Sequence, residues 1–207
     1  MLLPIGHYLG ARHRLETDDV VQEVRRGATF HSLTSQQLRI WAIAHGSSDA
    51  VNNNVAWQRR SVEESAGLTD AASFVDELIG MGLLAEVAPG TDQALEFAKT
   101  HQLTPLMLGL GNAVGDPAMF DIGFQGQSIL QVNPTIYDLW HWSAMDDTLW
   151  ATCQSAADVA GRSNPTAVEQ TDPALLLTGL LESLHALLLH NAACLDINFR
   201  LGWPEAA

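Results

Sequence analysis

The chain echoes itself: residues from about Tyr8 to Ile43 overlay residues from about Met107 to Trp142 at one offset of 99 positions. On this overlay Leu9-Gly10 falls on Leu108-Gly109, Gly27 on Gly126, Phe30 on Ile129, Leu33 on Val132, Ile40 on Leu139 and Trp41 on Trp140. Further along, Trp57 matches Trp150, Ala66-Gly67 matches Ala160-Gly161, and Phe74 to Val87 matches Leu184 to Ile197, with length changes where loops are expected. Such self-similarity means one structural unit used twice. The 207 residues therefore divide into a first module over 1–90, a linker over 91–102 and a second module over 103–207.

Within each module the pattern predicts strands first and helices after. His7 to His13 with Val20 to Leu33, and Leu103 to Leu110 with Phe120 to Val132, read as extended segments. Gly27 and Gly126 split the longer segment by a bulge or a tight turn. A helix then starts at the cap Thr34, or at Asn133 with Pro134 in the first helical position. A second helix is expected to end at Gly67 or Gly161, and a third to start at Asp70 or Asp172. The third helix leads into a short exit strand, Leu83 to Val87 or Cys194 to Phe199. Thr91 to Gln102 reads as a capped amphipathic linker helix. The fold expected is α+β, two tandem winged-helix-like modules, each a small antiparallel sheet plus three helices. In the second module the leucines at 177, 181, 184 and 188 form one stripe and those at 176, 180 and 187 another. Two apolar faces need two partners, which raises a homodimer through the helix 173–190 as an expectation.

Charge decides the class of partner. Ten Lys and Arg against 24 Asp and Glu give a net charge of −14, which repels polyanions. A winged helix would offer its third helix to DNA, yet Asp70 to Glu86 contains Asp70, Asp76, Glu77 and Glu86 and no basic residue. Asp172 to Asp196 is likewise acidic only, so nucleic acid is disfavoured as a partner. The basic clusters Arg12-His13-Arg14, Arg25-Arg26 and Arg59-Arg60 keep a DNA-associated regulator or adaptor as an alternative.

No catalytic set assembles. Gly109-Leu-Gly-Asn-Ala-Val-Gly115 has the glycines of a dinucleotide turn but is followed by Asp116-Pro117 where a helix should start, so it reads as a hairpin. His185 and His190 stand five apart on different helix faces, and no metal-ligand spacing occurs. Cys153 lies on the inward side of its helix, as a buried apolar residue would. The expectations are no enzyme activity, no metal and no cofactor. Two cysteines are too few for a disulfide scaffold, the opening Met-Leu-Leu-Pro-Ile-Gly-His lacks a secretory leader pattern, and no stretch reads as a membrane span. A cytoplasmic protein with no membrane partner is expected.

The passage GATFHSLTSQQLRIWAIAHG (Gly27 to Gly46), the third helix VDELIGMGLL (Val75 to Leu84), and the fainter GQSILQVNPTIYDLW (Gly126 to Trp140) resemble the PqqD-like winged-helix modules that recognise peptides during biosynthesis of ribosomally made, modified peptides. The resemblance implies an extended peptide added to a sheet edge beside the third helix. The edge would be Ala28 to Ser32 or Gln127 to Gln131, and the facing helix would present Val75, Asp76 and Ile79. With the neighbouring Arg25 and Arg26, the candidate peptide-binding residues are Arg25, Arg26, Ala28, Phe30, Ser32, Val75, Asp76 and Ile79. A structural interaction protein of a larger complex is the remaining alternative.

Overall fold

The computed structural model describes residues 1–14, 19–163 and 166–198. It is an α+β protein that divides into two compact units, Met1–Val87 together with the chain from Leu195 onward, and Ala88–Cys194. The expected linker helix belongs to the second unit, and Leu195 to Asn198 belong to the first.

Unit 1 runs β1 (Leu2–Pro4), β2 (His7–Arg14), β3 (Asp19–Arg26), β4 (Thr29–Leu33), α1 (Ser35–Ile43), α2 (Ser48–Asn52), α3 (Arg59–Ala66), α4 (Ala71–Gly80) and β5 (Leu84–Glu86). The antiparallel sheet has the order β2-β3-β4, and β1 pairs separately with β5. Pattern alternation sets which face of the sheet is covered. Val24 and Leu33 are buried in one core with Ile40, Trp41, Val62, Val75 and Leu78, so residues in phase with them face the helices. The cap at Thr34 is a full capping box, in which Thr34 accepts from Gln37 N and Gln37 Oε1 accepts from Thr34 N. Gly67 ends α3 at φ +60°.

Unit 2 starts with α5 (Asp92–Thr100), capped by Thr91, and continues through β6 (His101–Pro105), β7 (Leu108–Asn112), β8 (Phe120–Phe124), β9 (Gln127–Val132), α6 (Pro134–Trp142), a 3-10 turn (Ser143–Met145), α7 (Leu149–Ser163), α8 (Val168–Thr171), α9 (Pro173–Leu189) and β10 (Ala193–Ile197). Its sheet order is β7-β8-β9, and β6 is the partner of β10. The expected exit strand to Phe199 reaches beyond the described residues. Both units thus follow one plan, and equivalent tryptophans hold equivalent corners. Trp41 donates its indole N–H to Ile5 O at 3.2 Å and Trp140 donates to Ala192 O at 2.9 Å, both side chains being buried.

The equivalence is not the single offset the sequence suggests. Bulges fall at Tyr8/Gly10 and Gly109/Gly111, so Gly10 (φ +96°) corresponds to Gly111 (φ +86°), an offset of 101. Val24 pairs with His31 as Ile122 pairs with Leu130, which places β3 on β8 at an offset of 98 and returns to 99 from His31 onward. The extra residue is Ile129, bulged between Ser128 and Leu130, so Phe30 corresponds to Ser128. After the third helices, Gly82 (φ +69°) and Asn191 (φ +52°) take the same left-handed position, an offset of 109 where the sequence overlay has 110. Side-chain spacing alone cannot see a bulge, because it changes register without changing composition.

Two further expectations change. Helix α7 passes through Gly161 to Ser163, so that glycine ends nothing. Both leucine stripes of α9 are buried, with Leu176, Leu177, Leu180, Leu181, Leu184, Leu187 and Leu188 at 4% exposure or less. Helices α5, α6, α7 and α8 of the same unit pack around α9. The second stripe therefore has its partner inside the chain, which removes the reason for expecting a second copy there.

Unit 1 is completed by the returning chain. Gly6 N donates to Leu195 O at 2.7 Å, and Asp196 Oδ1 accepts from Gly27 N and Ile197 N at 2.8 Å each. Arg25 reaches Asp196 Oδ2 at 3.4 Å, and the Asp196 side chain is only 1% exposed. Burial pushes this carboxyl above its ordinary range, opposed by those two N–H groups and by Arg25 and Arg26.

Candidate functional site

Strand β4 is the outermost strand of its sheet and pairs only with β3 among the described residues. An edge strand leaves main-chain donors and acceptors on one side, which is both a hazard and a binding opportunity. Here the edge is five residues long and polar at three of them (Thr29, His31 and Ser32). One tie joins α1 to α4, and one joins β3 to the turn after α4. At the Leu33 end, Gln37 Nε2 donates to Glu77 Oε2 at 2.8 Å. At the Thr29 end, Arg26 lies against Gly82, where a Cβ would come within 2.7 Å of its Cζ. Since the Gly82 conformation also disfavours any side chain, glycine suits this turn on two counts.

The eight residues proposed from sequence fall into distinct places. Ala28 belongs to the two-residue turn before β4 and is exposed. Phe30, 58% exposed, and Ser32 lie on the sheet face turned away from the helices, because the helix-facing phase is set by Leu33 and by the Val24–His31 pairing. Arg25 shares that outer face, where it donates to Gly27 O and pairs with Asp196. Arg26 is on the helix-facing side, in phase with Val24. Val75 is fully buried in the core and cannot line an open groove, whereas Ile79 is only partly covered. Asp76 is taken by Arg59, which donates to it at 2.7 Å while also holding Glu63 and Ala72 O. The hydrogen bond from Arg59 holds the Asp76 carboxyl below its ordinary range.

The structure therefore places Arg26 on the helix-facing side of the sheet against Gly82, three residues after Ile79, and puts Phe30 and Ser32 on the other face. It adds His31, which sequence reasoning passed over. The signal was present: Leu33 is the apolar residue that must enter the core, and counting back in twos reaches His31 and Thr29. His31 is half-buried and held below its ordinary pKa, first by burial and then by nearby Arg26.

The corresponding edge of unit 2 is β9, outermost beside β8. In the register of unit 1's Arg26 and His31, unit 2 carries Phe124, which is exposed, and Leu130, which is half-buried. Ser128 donates to Asp121 across the β8–β9 pair at 2.7 Å. Elsewhere, Cys153 is fully buried with its thiol pushed up to about 12 by burial and by Asp146, which removes it as a nucleophile at neutral pH. Gly109 to Gly115 forms part of the β7–β8 hairpin, with no helix after it. Among the described residues no three His, Cys, Asp or Glu side chains are grouped to hold a metal ion, and no helix is long and apolar enough to cross a membrane.

No protein-family model matches the chain, and no curated protein or solved structure is significantly similar to it.

Proposed function

We propose that the chain is a non-enzymatic binding protein that takes up an extended peptide or protein segment along the free edge of β4, beside α4. The observation that carries the reading is an outermost strand, β4, paired on one side only among the described residues. Strand addition supplies affinity through the backbone and selectivity through alternate side chains. The order of strands followed by helices is also the layout on which the resemblance to PqqD-like peptide-recognition modules rests, and a role as a recognition or adaptor protein follows from it. Neither cysteine is in a disulfide and both are buried, which suits a reducing compartment such as the cytoplasm.

The test is selection of a displayed random-peptide library on the full chain, followed by anisotropy titration of the enriched peptides against Phe30→Asp and Ile79→Asp. A ligand lying along β4 toward α4 loses about tenfold or more in affinity with Ile79→Asp, by burying a charge against apolar contacts. Protection of the Thr29 to Leu33 amides from hydrogen exchange should accompany binding. Enriched peptides whose affinity ignores both substitutions and leaves β4 exchange unchanged would refute the site.

A further inference from the structure

Arg26, at the end of β3, carries a charge whose neighbouring carboxylate, Asp196, is not hydrogen-bonded to its Nε among the described residues. The Arg26 guanidinium lies against Gly82, and Arg26 Nε, like His31 Nε2 on the neighbouring strand, is sealed from solvent without a hydrogen-bond partner among the described residues. Native proteins leave few such atoms, so a pair of them calls for a cause. Glu23 Oε2 and Asp196 Oδ2 also lack hydrogen bonds among the described residues, but the acids of unit 1 direct their other contacts elsewhere. Asp76 is held by Arg59, Glu77 accepts from Gln37, Glu23 pairs with Arg12, and Asp196 is bound by Gly27 N, Ile197 N and Arg25.

Unit 2 shows that the architecture does not require the pair. At the equivalent positions, defined by Arg26–Thr29 against Phe124–Gln127 and Val24–His31 against Ile122–Leu130, it carries Phe124 and Leu130. The same strand plan is therefore built with apolar side chains there. Unit 1 instead keeps a cation and an imidazole whose buried atoms lack partners, and groups that oppose stability persist where function needs them.

We infer that Arg26 and His31 form a carboxylate subsite that selects an acidic side chain from a peptide strand added along β4. The inference rests on the strand-addition reading above and names the chemistry of its ligand. A guanidinium offers a fork of donors matched to a carboxylate, and a neutral imidazole adds a further donor. Because alternate residues of an added strand face the helix side, the acidic residue sits opposite the Thr29 to His31 stretch. An apolar residue two positions away meets the Leu33 end and Ile79. The recognised pattern is thus acidic, any residue, apolar, or its reverse.

The peptides selected on the wild-type chain test this directly. An Asp or Glu at one position, spaced by two from an apolar residue, is expected. Arg26→Gln should bind them about tenfold or more weakly, and amidating the peptide's acid should cost a similar factor in wild type and little more in Arg26→Gln. His31→Leu should weaken the same peptides by a smaller factor. If Arg26→Gln loses the exchange protection of the Val24 amide, Arg26→Met and the peptide amidation carry the test. Peptides that depend on Ile79 and protect β4 but show no acidic position, or bind Arg26→Gln unchanged, would overturn the subsite while leaving strand addition standing. Absence of any enriched peptide, or binding indifferent to Ile79→Asp, would overturn both.

Discussion

Transplanting the second unit's pair into the first, as Arg26→Phe with His31→Leu, should stabilise unit 1. Two buried nitrogens without partners are removed, Arg26 Nε and His31 Nε2. Each unsatisfied buried polar group costs about 1–3 kcal/mol, and both residues are partly exposed, so the lower end applies and the net gain is about 1–2 kcal/mol. Phenylalanine is shorter than arginine and clears Gly82, where the guanidinium already lies at the limit of approach. For a unit of this size that gain raises the unfolding midpoint by about 4–8 °C per kcal/mol. Because a two-unit chain need not unfold in one step, native-state hydrogen exchange at the Val24 and Leu78 amides is the better measure, since both lie in the unit 1 core. Peptide binding should fall as stability rises. Destabilisation of the double variant by about 1 kcal/mol or more would show that the pair supports the fold, and the reasoning about a functional cost would fail.

Three further outcomes are expected. Trp41→Phe leaves the buried Ile5 carbonyl without its indole donor, and about 1–3 kcal/mol of stability should be lost in urea denaturation; a loss within measurement error would contradict the corner's role. His31 has a lowered pKa in the folded chain, so the unfolded chain binds more protons below about pH 6.5. Its contribution is therefore present above that pH and lost on acidification toward the folded value, and comparison of urea midpoints should show a shallower acid decline in His31→Gln than in wild type. Cys153, with its thiol near 12 and no exposure, and buried Cys194 should resist Ellman's reagent at pH 8 in the folded chain and react in denaturant. Prompt native labelling of Cys153 would place it at the surface instead.

What the sequence made legible were features written in a few adjacent residues. The caps Thr34, Asn133 with Pro134, and Asp172 with Pro173 all start helices, since each needs only one side chain to reach an N–H two or three residues on. The tryptophan corners were legible because a repeated Trp in a repeated pattern must be buried twice. Strand β1 was missed, as Leu2–Pro4 is too short to show a period, and its pairing with β5 spans the whole unit. The phase of β4 was misjudged because Phe30, the most apolar residue of the strand by eye, points away from the core while His31 faces the helices. A bulge at Ile129 hid the true correspondence of the two edges. The acidic wall expected on α4 dissolved for a related reason: whether a carboxylate is free depends on partners far away in sequence, Arg59 for Asp76 and Gln37 for Glu77.

The contact of Asp196 with Gly27 bridges 169 positions, and it sets an order of events during synthesis. The first unit is made ahead of the second, but the turn that begins β4 waits for a residue 169 positions later before its N–H finds this acceptor. Until then the stretch leading into the proposed binding edge lacks its clasp. Competence to bind would be acquired only after Asp196 has been made, and a chain cut short before Leu195 would carry an unlatched first unit.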